Sequence, residues 1–563
     1  MKIIKHISIL FCLAVALYSC EDDYLQIKNV ETGVSTDDMY VRYSYIQGVV
    51  WGAYSYLPDG LSDLWREAAT DVAEATRESN SSQYFNLGIW NQFNNPDNVW
   101  AKNFQGIDQA NRFLKNKGNV SLEEIKANSA DGDSTSYYKA LDNMKLMEGE
   151  ALFLKAFFYF ELTKRYGGVP IFDEPLDYDD ESTWKNISRN SLDECILYIA
   201  DLCNQAAGII PEDVHATYSW YEDGRITQGA IKTLKAKVLL YGASPLYKEN
   251  GTTTSWAEAA EAAHDVIALG QYSLSSSYSD LFSSSNSTSN EVIFKRRYGS
   301  INWLEQSQFP ITFVGSLGNG LAPTQNFVDQ FEVVDTDNSP ATSESFDWNN
   351  PAHAANPYAN RDSRLAATVI YNNSTFGSTD IETFTGGNSG LPKENATKTG
   401  YYLKKWVNSG VDLVNGTTAN HTWGYFRYAD VLLMYAEAMM NSYGADSDPM
   451  NYGMTATEAF NKVRDRAGVS QLAEGELNQK WIEHERMIEF AFENQRFWDV
   501  RRWQKGTTYF NKPVTRVEIT KEGDQFSYEV KTLETRVYQE KMNWYPIPQD
   551  EISKTGWEQN PSW

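Results

Sequence analysis

One stretch constrains this chain more than any other. Residues Ala151 to Leu162 read Ala-Leu-Phe-Leu-Lys-Ala-Phe-Phe-Tyr-Phe-Glu-Leu, with charge only at Lys155 and Glu161. A helix through such a run is apolar nearly all round and has to be enclosed, so at least two other helices must pack on it. Its stop is written in the residues: Arg165 suits the negative helix end, Gly167 and Gly168 can take a left-handed cap, and Pro170 forbids continuation. The run is too short and too interrupted to cross a bilayer, which takes about 20 apolar residues.

The chain begins with Lys2 and Lys5, an apolar run from Ile7 to Leu17, and Leu17-Tyr18-Ser19-Cys20. This is a secretory leader (residues 1–19) rather than a membrane span. Its ending resembles a bacterial lipobox, which makes Cys20 the lipidated first residue of the mature chain. Residues 20–40, opening with Glu21, Asp22 and Asp23, read as a tether. The formal net charge of −26 becomes two units more negative once Lys2 and Lys5 leave. Such acidity argues against nucleic acid as a partner and against an anionic membrane surface. Cys195 and Cys203 fall on one predicted helix, Leu192 to Ala207, roughly 12 Å apart. That is beyond disulfide reach, so both are expected free and buried.

Helical periodicity runs from Val41, through Leu61 to Glu78, Val99 to Lys115, Arg225 to Tyr241 with Thr227 as cap, and Trp256 to Leu269. From Gln271 to about His421, serine runs and Asn-Asn, Gly-Gly and Asn-Gly pairs replace it, predicting loops with occasional strands such as Glu291 to Phe294. This region is too aromatic for disorder. Helices return at Asp430 to Met440, at Thr455 to Gly468 with a capping box, and at Trp481 to Trp498. The division expected is a helical scaffold over 41–270 and a second part, 271–563, with a loop-rich insertion and closing helices.

No constellation of catalytic residues, metal ligands or cofactor-binding residues emerges. His484-Glu485-Arg486-Met487-Ile488 lacks the second histidine of a zinc-protease helix, and Gly315 to Gly320 lacks both the Rossmann spacing and the Walker lysine. Glu485, Glu489 and Glu493 share one face of the predicted helix, a spacing that paired glycosidase carboxylates also use. Arg486, Arg496, Arg501 and Arg502 stand close by, so buried charge pairing is the reading preferred. The positive signal is aromatic residues in polar loops: sugars offer apolar C–H faces ringed by hydroxyls, which stacking rings and hydrogen-bonding side chains match. Trp90 with Asn91, Arg77 and Tyr84, and Trp303 with Tyr298, are the candidate ligand-binding residues.

Taken as a set, several motifs resemble the SusD/RagB family of surface glycan-binding lipoproteins. They are Gln109-Ala110-Asn111-Arg112, the Tyr166-Gly-Gly-Val-Pro170 ending, Phe426-Arg427-Tyr428-Ala429-Asp430, Arg466-Ala467-Gly468, Glu485-Arg486, Glu489-Phe490 and Arg496-Phe497-Trp498-Asp499. The resemblance implies a mainly α fold, with tetratricopeptide-like helix pairs as an α-superhelical scaffold and a loop-rich ligand-binding region. It also implies a non-enzymatic protein on the extracellular face of the outer membrane, anchored through Cys20, that captures oligosaccharides or polysaccharides for a TonB-dependent SusC-like transporter. The alternatives are a glycoside hydrolase using paired carboxylates and a lid for peptide or other non-glycan cargo.

Overall fold

Helices α1 (Tyr43–Ser55), α2 (Trp100–Asn116), α3 (Thr135–Tyr166), α4 (Leu192–Ile209), α5 (Gln228–Ala243), α6 (Trp256–Ile267), α7 (Tyr428–Tyr443) and α8 (Ala456–Ala467) each pack on the next in chain order. This is the α-superhelical scaffold that the sequence implied. The computed structural model describes residues 39–128, 134–176, 180–183, 185–283, 288–338 and 341–563. The leader, Cys20 and nearly all of the tether lie outside the described residues. Among the described residues no helix is long and apolar enough to cross a membrane.

The apolar run forms the second half of α3, where every residue from Gly149 to Tyr166 except Lys164 is buried. Gly167 ends it with φ +75°. Close packing on one side depends on Gly106 of α2: a β-carbon there would stand 2.5 Å from the Phe158 ring. Local signals fix the neighbouring helices. Ser191 and Thr455 make full capping boxes with Glu194 and Glu458, and Thr227 caps α5. Arg225, expected inside α5, lies before it and donates through Nε to Glu150 on α3 at 2.9 Å. Cys195 and Cys203 are free and buried.

Between α6 and α7, which pack together, the chain makes the long loop-rich excursion. Its two ends meet in an antiparallel ribbon of β2 (Val292–Ile301) with β4 (Ala419–Arg427), where Val292 faces Arg427 and Ile301 faces Ala419. The strand expected at Glu291 to Phe294 is therefore longer than read. Two other expectations fail. The segment Leu61 to Glu78 is not one helix but a 3₁₀ helix, Ser62–Ala69, followed by β1 (Ala73–Ala75), which pairs with β3 (Leu321–Pro323). The helix-friendly sequence there loses to distant partners: Arg536 donates to the carbonyls of Thr70 and Ala73 and pairs with Glu74.

Trp481 to Trp498 is also two pieces, α9 (Gln479–Glu489) and α10 (Arg496–Arg502), separated by a turn with Phe492 and Asn494 in the left-handed region. The excursion supplies donors for the carbonyls the break frees. Arg427 reaches Glu489 O at 2.7 Å, Lys405 reaches Ala491 O at 2.7 Å, and the Trp406 indole reaches Phe492 O at 2.8 Å. A hairpin of β5 (Val514–Glu522) and β6 (Gln525–Glu534), which the sequence reading left out, and a closing helix α11 (Gln549–Thr555) complete the fold.

Glu67, in the 3₁₀ helix, accepts from the Asn494 backbone N–H at 2.7 Å while its other oxygen is buried without a partner. Burial pushes its carboxyl up to about 7, against the Asn494 bond and the Lys405 charge. The folded state thus binds this proton more tightly than the unfolded state. Its stabilising effect is complete below the unfolded value near 4.5 and is lost as pH rises through about 7, on the order of 3 kcal/mol. Glu67→Gln is therefore expected to melt higher than the parent at pH 8, with the gap closing near pH 4.5, in thermal scans across that range.

Candidate functional site

The β1–β3 pairing carries two loops to the same surface. Beyond β1, Thr76 donates to Gly320 O at 3.1 Å, and the exposed Arg77 donates through Nη2 to Leu317 O at 3.0 Å. Leu317 in turn donates to Gln306 O at 2.7 Å, in the short helix Trp303–Gln308 whose first residue is Trp303. Arg77 and Trp303 therefore stand on two loops clamped to one another. Beside them Lys398 reaches Glu78 at 3.4 Å. From Arg77 a run of turns (Asn80 to Arg77 O, Tyr84 to Ser81 O) leads to Tyr84, which is 37% exposed, and Gln83 is tied to Glu74 on β1 at 3.1 Å. Burial raises the Glu74 carboxyl to about 7 against the charge of Arg536. Trp303 is 38% exposed. Exposed rings and a donor of this kind, Tyr84, Trp303 and Arg77, are the groups that stacking on and hydrogen bonding to a sugar would use.

Three other candidates need correction. Trp90 is only 2% exposed: its indole packs on Phe85 at 4.7 Å, Tyr545 at 4.9 Å and Trp563 at 4.5 Å, so no face is open to a ligand. Its polar neighbours in sequence concealed a core ring. Asn91 spends its side-chain oxygen on the backbone N–H groups of Phe93 (2.9 Å) and Asn94 (3.2 Å). Tyr298 donates to Asp59 at 3.0 Å and accepts from Leu61 N at 3.3 Å, and burial raises its pKa, so it is a half-buried tie to the segment that follows the first helix. The turn built by Asn91 projects Phe93, a loop aromatic that was not among the candidates and is 75% exposed. The asparagines flanking it were the available signal, since such side chains cap tight turns.

The three acidic residues at four-residue spacing are committed to ion pairs. Glu485 meets Arg364 at 2.6 Å and Arg464 at 3.1 Å. Glu493, beyond the end of α9, meets Lys405 and Arg427 at 2.7 Å each. Glu489 meets Arg364 at 2.9 Å, Arg427 at 2.5 Å, and Arg466. Burial works to raise the Glu489 carboxyl, and the charges of Arg466, Arg427 and Arg364 outweigh it, holding it well below the usual range. The same balance lowers Glu485. A general acid has to hold its proton near neutral pH, which neither can do.

Comparison with known proteins identifies the family and the fold. A family model described as the SusD family matches residues 290–563, and one described as starch-binding and associating with the outer membrane matches residues 44–240. The chain belongs to the SusD/RagB family. Two SusD-like proteins of Formosa agariphila are similar at 23% identity, covering 89% of this chain and 90% of the relative, and at 21%, covering 88% and 90%. A SusD-like structure from Bacteroides fragilis superposes with a TM-score of 0.75 at 24% identity, over 94% of this chain and 99% of that one. The surface glycan-binding protein A of Bacteroides thetaiotaomicron, solved with laminarihexaose, gives a TM-score of 0.61 at 18% identity, over 92% and 99%.

In this SusD/RagB chain the motifs that carried the resemblance lie in the scaffold. Asp430 pairs with Lys237 and Arg486, Asp499 with Arg486 and Arg502, and Arg496 with Asp71, all at 2.7–2.9 Å. Removing one partner from such a buried set leaves charge unmatched, at a cost of about 3–5 kcal/mol. Glu489→Ala is accordingly expected to lose that much stability in denaturant unfolding. A loss below about 1 kcal/mol would show that its arginines find other partners.

Proposed function

We propose that the protein is a non-catalytic, cell-surface glycan-binding lipoprotein, held at the outer membrane through Cys20, that captures oligosaccharides or polysaccharides and delivers them to a SusC-like TonB-dependent transporter. The observation that carries this reading is the exposure of Arg77, Tyr84 and Trp303, with the Arg77 and Trp303 loops tied together through Leu317. In this reading Tyr84 and Trp303 stack on sugar rings, and the free donors of Arg77 bind hydroxyls. The laminarihexaose complex of the similarly folded glycan-binding protein A and the starch-binding description of one matching family model support a carbohydrate as the ligand. The lipobox-like Leu17 to Cys20 supports the anchor, and the family resemblance supports the transporter as partner. The ion pairing of Glu485 and Glu489 weighs against the hydrolase alternative.

Calorimetric titration of residues 21–563 with neutral and acidic polysaccharides and their oligomers tests the reading. Binding in the micromolar to millimolar range is expected, about −8 to −4 kcal/mol. Tyr84→Ala and Arg77→Ala are each expected to weaken it at least tenfold, about 1.4 kcal/mol, with unchanged melting. Trp90→Ala is expected to act on stability instead, by about 3–5 kcal/mol. A Trp90→Ala protein with parental melting and no binding would reverse these assignments.

A further inference from the structure

Along α11, on the side of the scaffold, a groove of about 410 Å³ opens between that helix, the start of α2 and the segment after α3. Phe104, Phe172 and Trp557 line it over a floor made by Trp100. The rings meet one another only at steep angles: Trp100 and Trp557 are 6.0 Å apart at 58°, and Phe104 and Phe172 are 5.7 Å apart at 72°. None of these contacts is a parallel stack, and Phe104, Phe172 and Trp557 all remain partly exposed. The Trp557 indole N–H is fixed on Ile187 O at 2.7 Å, so its plane is set before any ligand arrives. Such preorganisation lowers the entropy cost of binding.

Polar groups rim these rings. Gln105 is exposed at one edge, and the Glu551–Lys554 pair, at 3.1 Å, stands at the other. A purely apolar partner would leave these groups facing apolar surface, whereas a sugar ring offers C–H faces to the aromatics and hydroxyls to the rim. The helix along the groove is also tied to the loop that carries Phe93. Gln549 N, at the first residue of α11, donates to Gln92 O at 3.2 Å, inside the turn that projects Phe93. The groove lies toward the other end of that helix, about 10 Å along it.

We propose that this groove is a second carbohydrate subsite, which takes one ring of a glycan chain whose other rings lie on the Arg77–Tyr84 face. The inference rests on the glycan reading above. It makes the protein a binder of long chains in preference to short ones.

The test uses residues 21–563 in native gels containing laminarin, amylopectin, xylan or galactomannan, followed by calorimetry with the retarding polymer and with its hexasaccharide. Ala101→Arg, at an exposed position lining the groove, fills it without removing packing. It is expected to weaken polymer binding five- to tenfold while the hexasaccharide stays within twofold. Gln105→Ala is expected to act in the same direction, with melting unchanged in both. Parental polymer affinity in a normally melting Ala101→Arg protein would overturn the subsite, as would equal loss for polymer and hexasaccharide. If the parent protein binds none of the polymers while Ala101→Arg alters binding of an apolar dye such as ANS, the groove serves apolar ligands and the proposal fails. Silence of the parent in every arm would count against the glycan reading itself.

Discussion

Glu489 sits where three separated parts of the chain meet. Arg364 comes from the loop-rich excursion, Arg427 from the end of the strand that closes it, and Arg466 from α8. The carboxylate is fully buried, Arg364 and Arg427 are buried with it, and the Arg466 side chain is only 4% exposed. In a low-dielectric interior a charge is tolerable only when its counter-charges and hydrogen bonds are all in place, so a network of this kind forms completely or not at all. Arg427 extends it to Glu291 and Glu493, and Arg364 extends it to Glu485 and Asp362. The excursion is thereby fastened to the scaffold by charge as well as by the β2–β4 ribbon.

That fastening explains how a long stretch with little regular structure can present a defined surface. The turn after Glu489 gives its carbonyls to donors from the excursion, and the loops above it are held by a few directed bonds, among them Arg77 to Leu317 and Leu317 to Gln306. Tyr84, Phe93 and Trp303 stand exposed on these loops, outside the core.

The scaffold was legible because its signals are local. The all-apolar run of α3, the glycines after it, and the Ser191, Thr227 and Thr455 caps each act within a turn or two of the residues that write them. What the sequence hid depends on distant partners. Residues 73–75 became a strand because Leu321 to Pro323 and Arg536 reached them, and the helix from Trp481 broke where Arg427, Lys405 and Trp406 could take its carbonyls. Of the proposed binding residues, Arg77, Tyr84 and Trp303 are exposed. Trp90 stands in equally polar surroundings, yet Phe85, Tyr545 and Trp563 converge on it from elsewhere in the chain. Neighbours in sequence do not reveal which way a tryptophan turns.

If a rigid, charge-fastened base presents the 76–94 and 303–320 loops to a glycan, hydrogen–deuterium exchange of residues 21–563 with and without a saturating polysaccharide will register it. New protection is expected in the 76–94 and 303–320 peptides, with those spanning 479–502 already slow to exchange and unchanged. Protection confined to other surfaces, or fast exchange throughout 479–502 in the free protein, would contradict it.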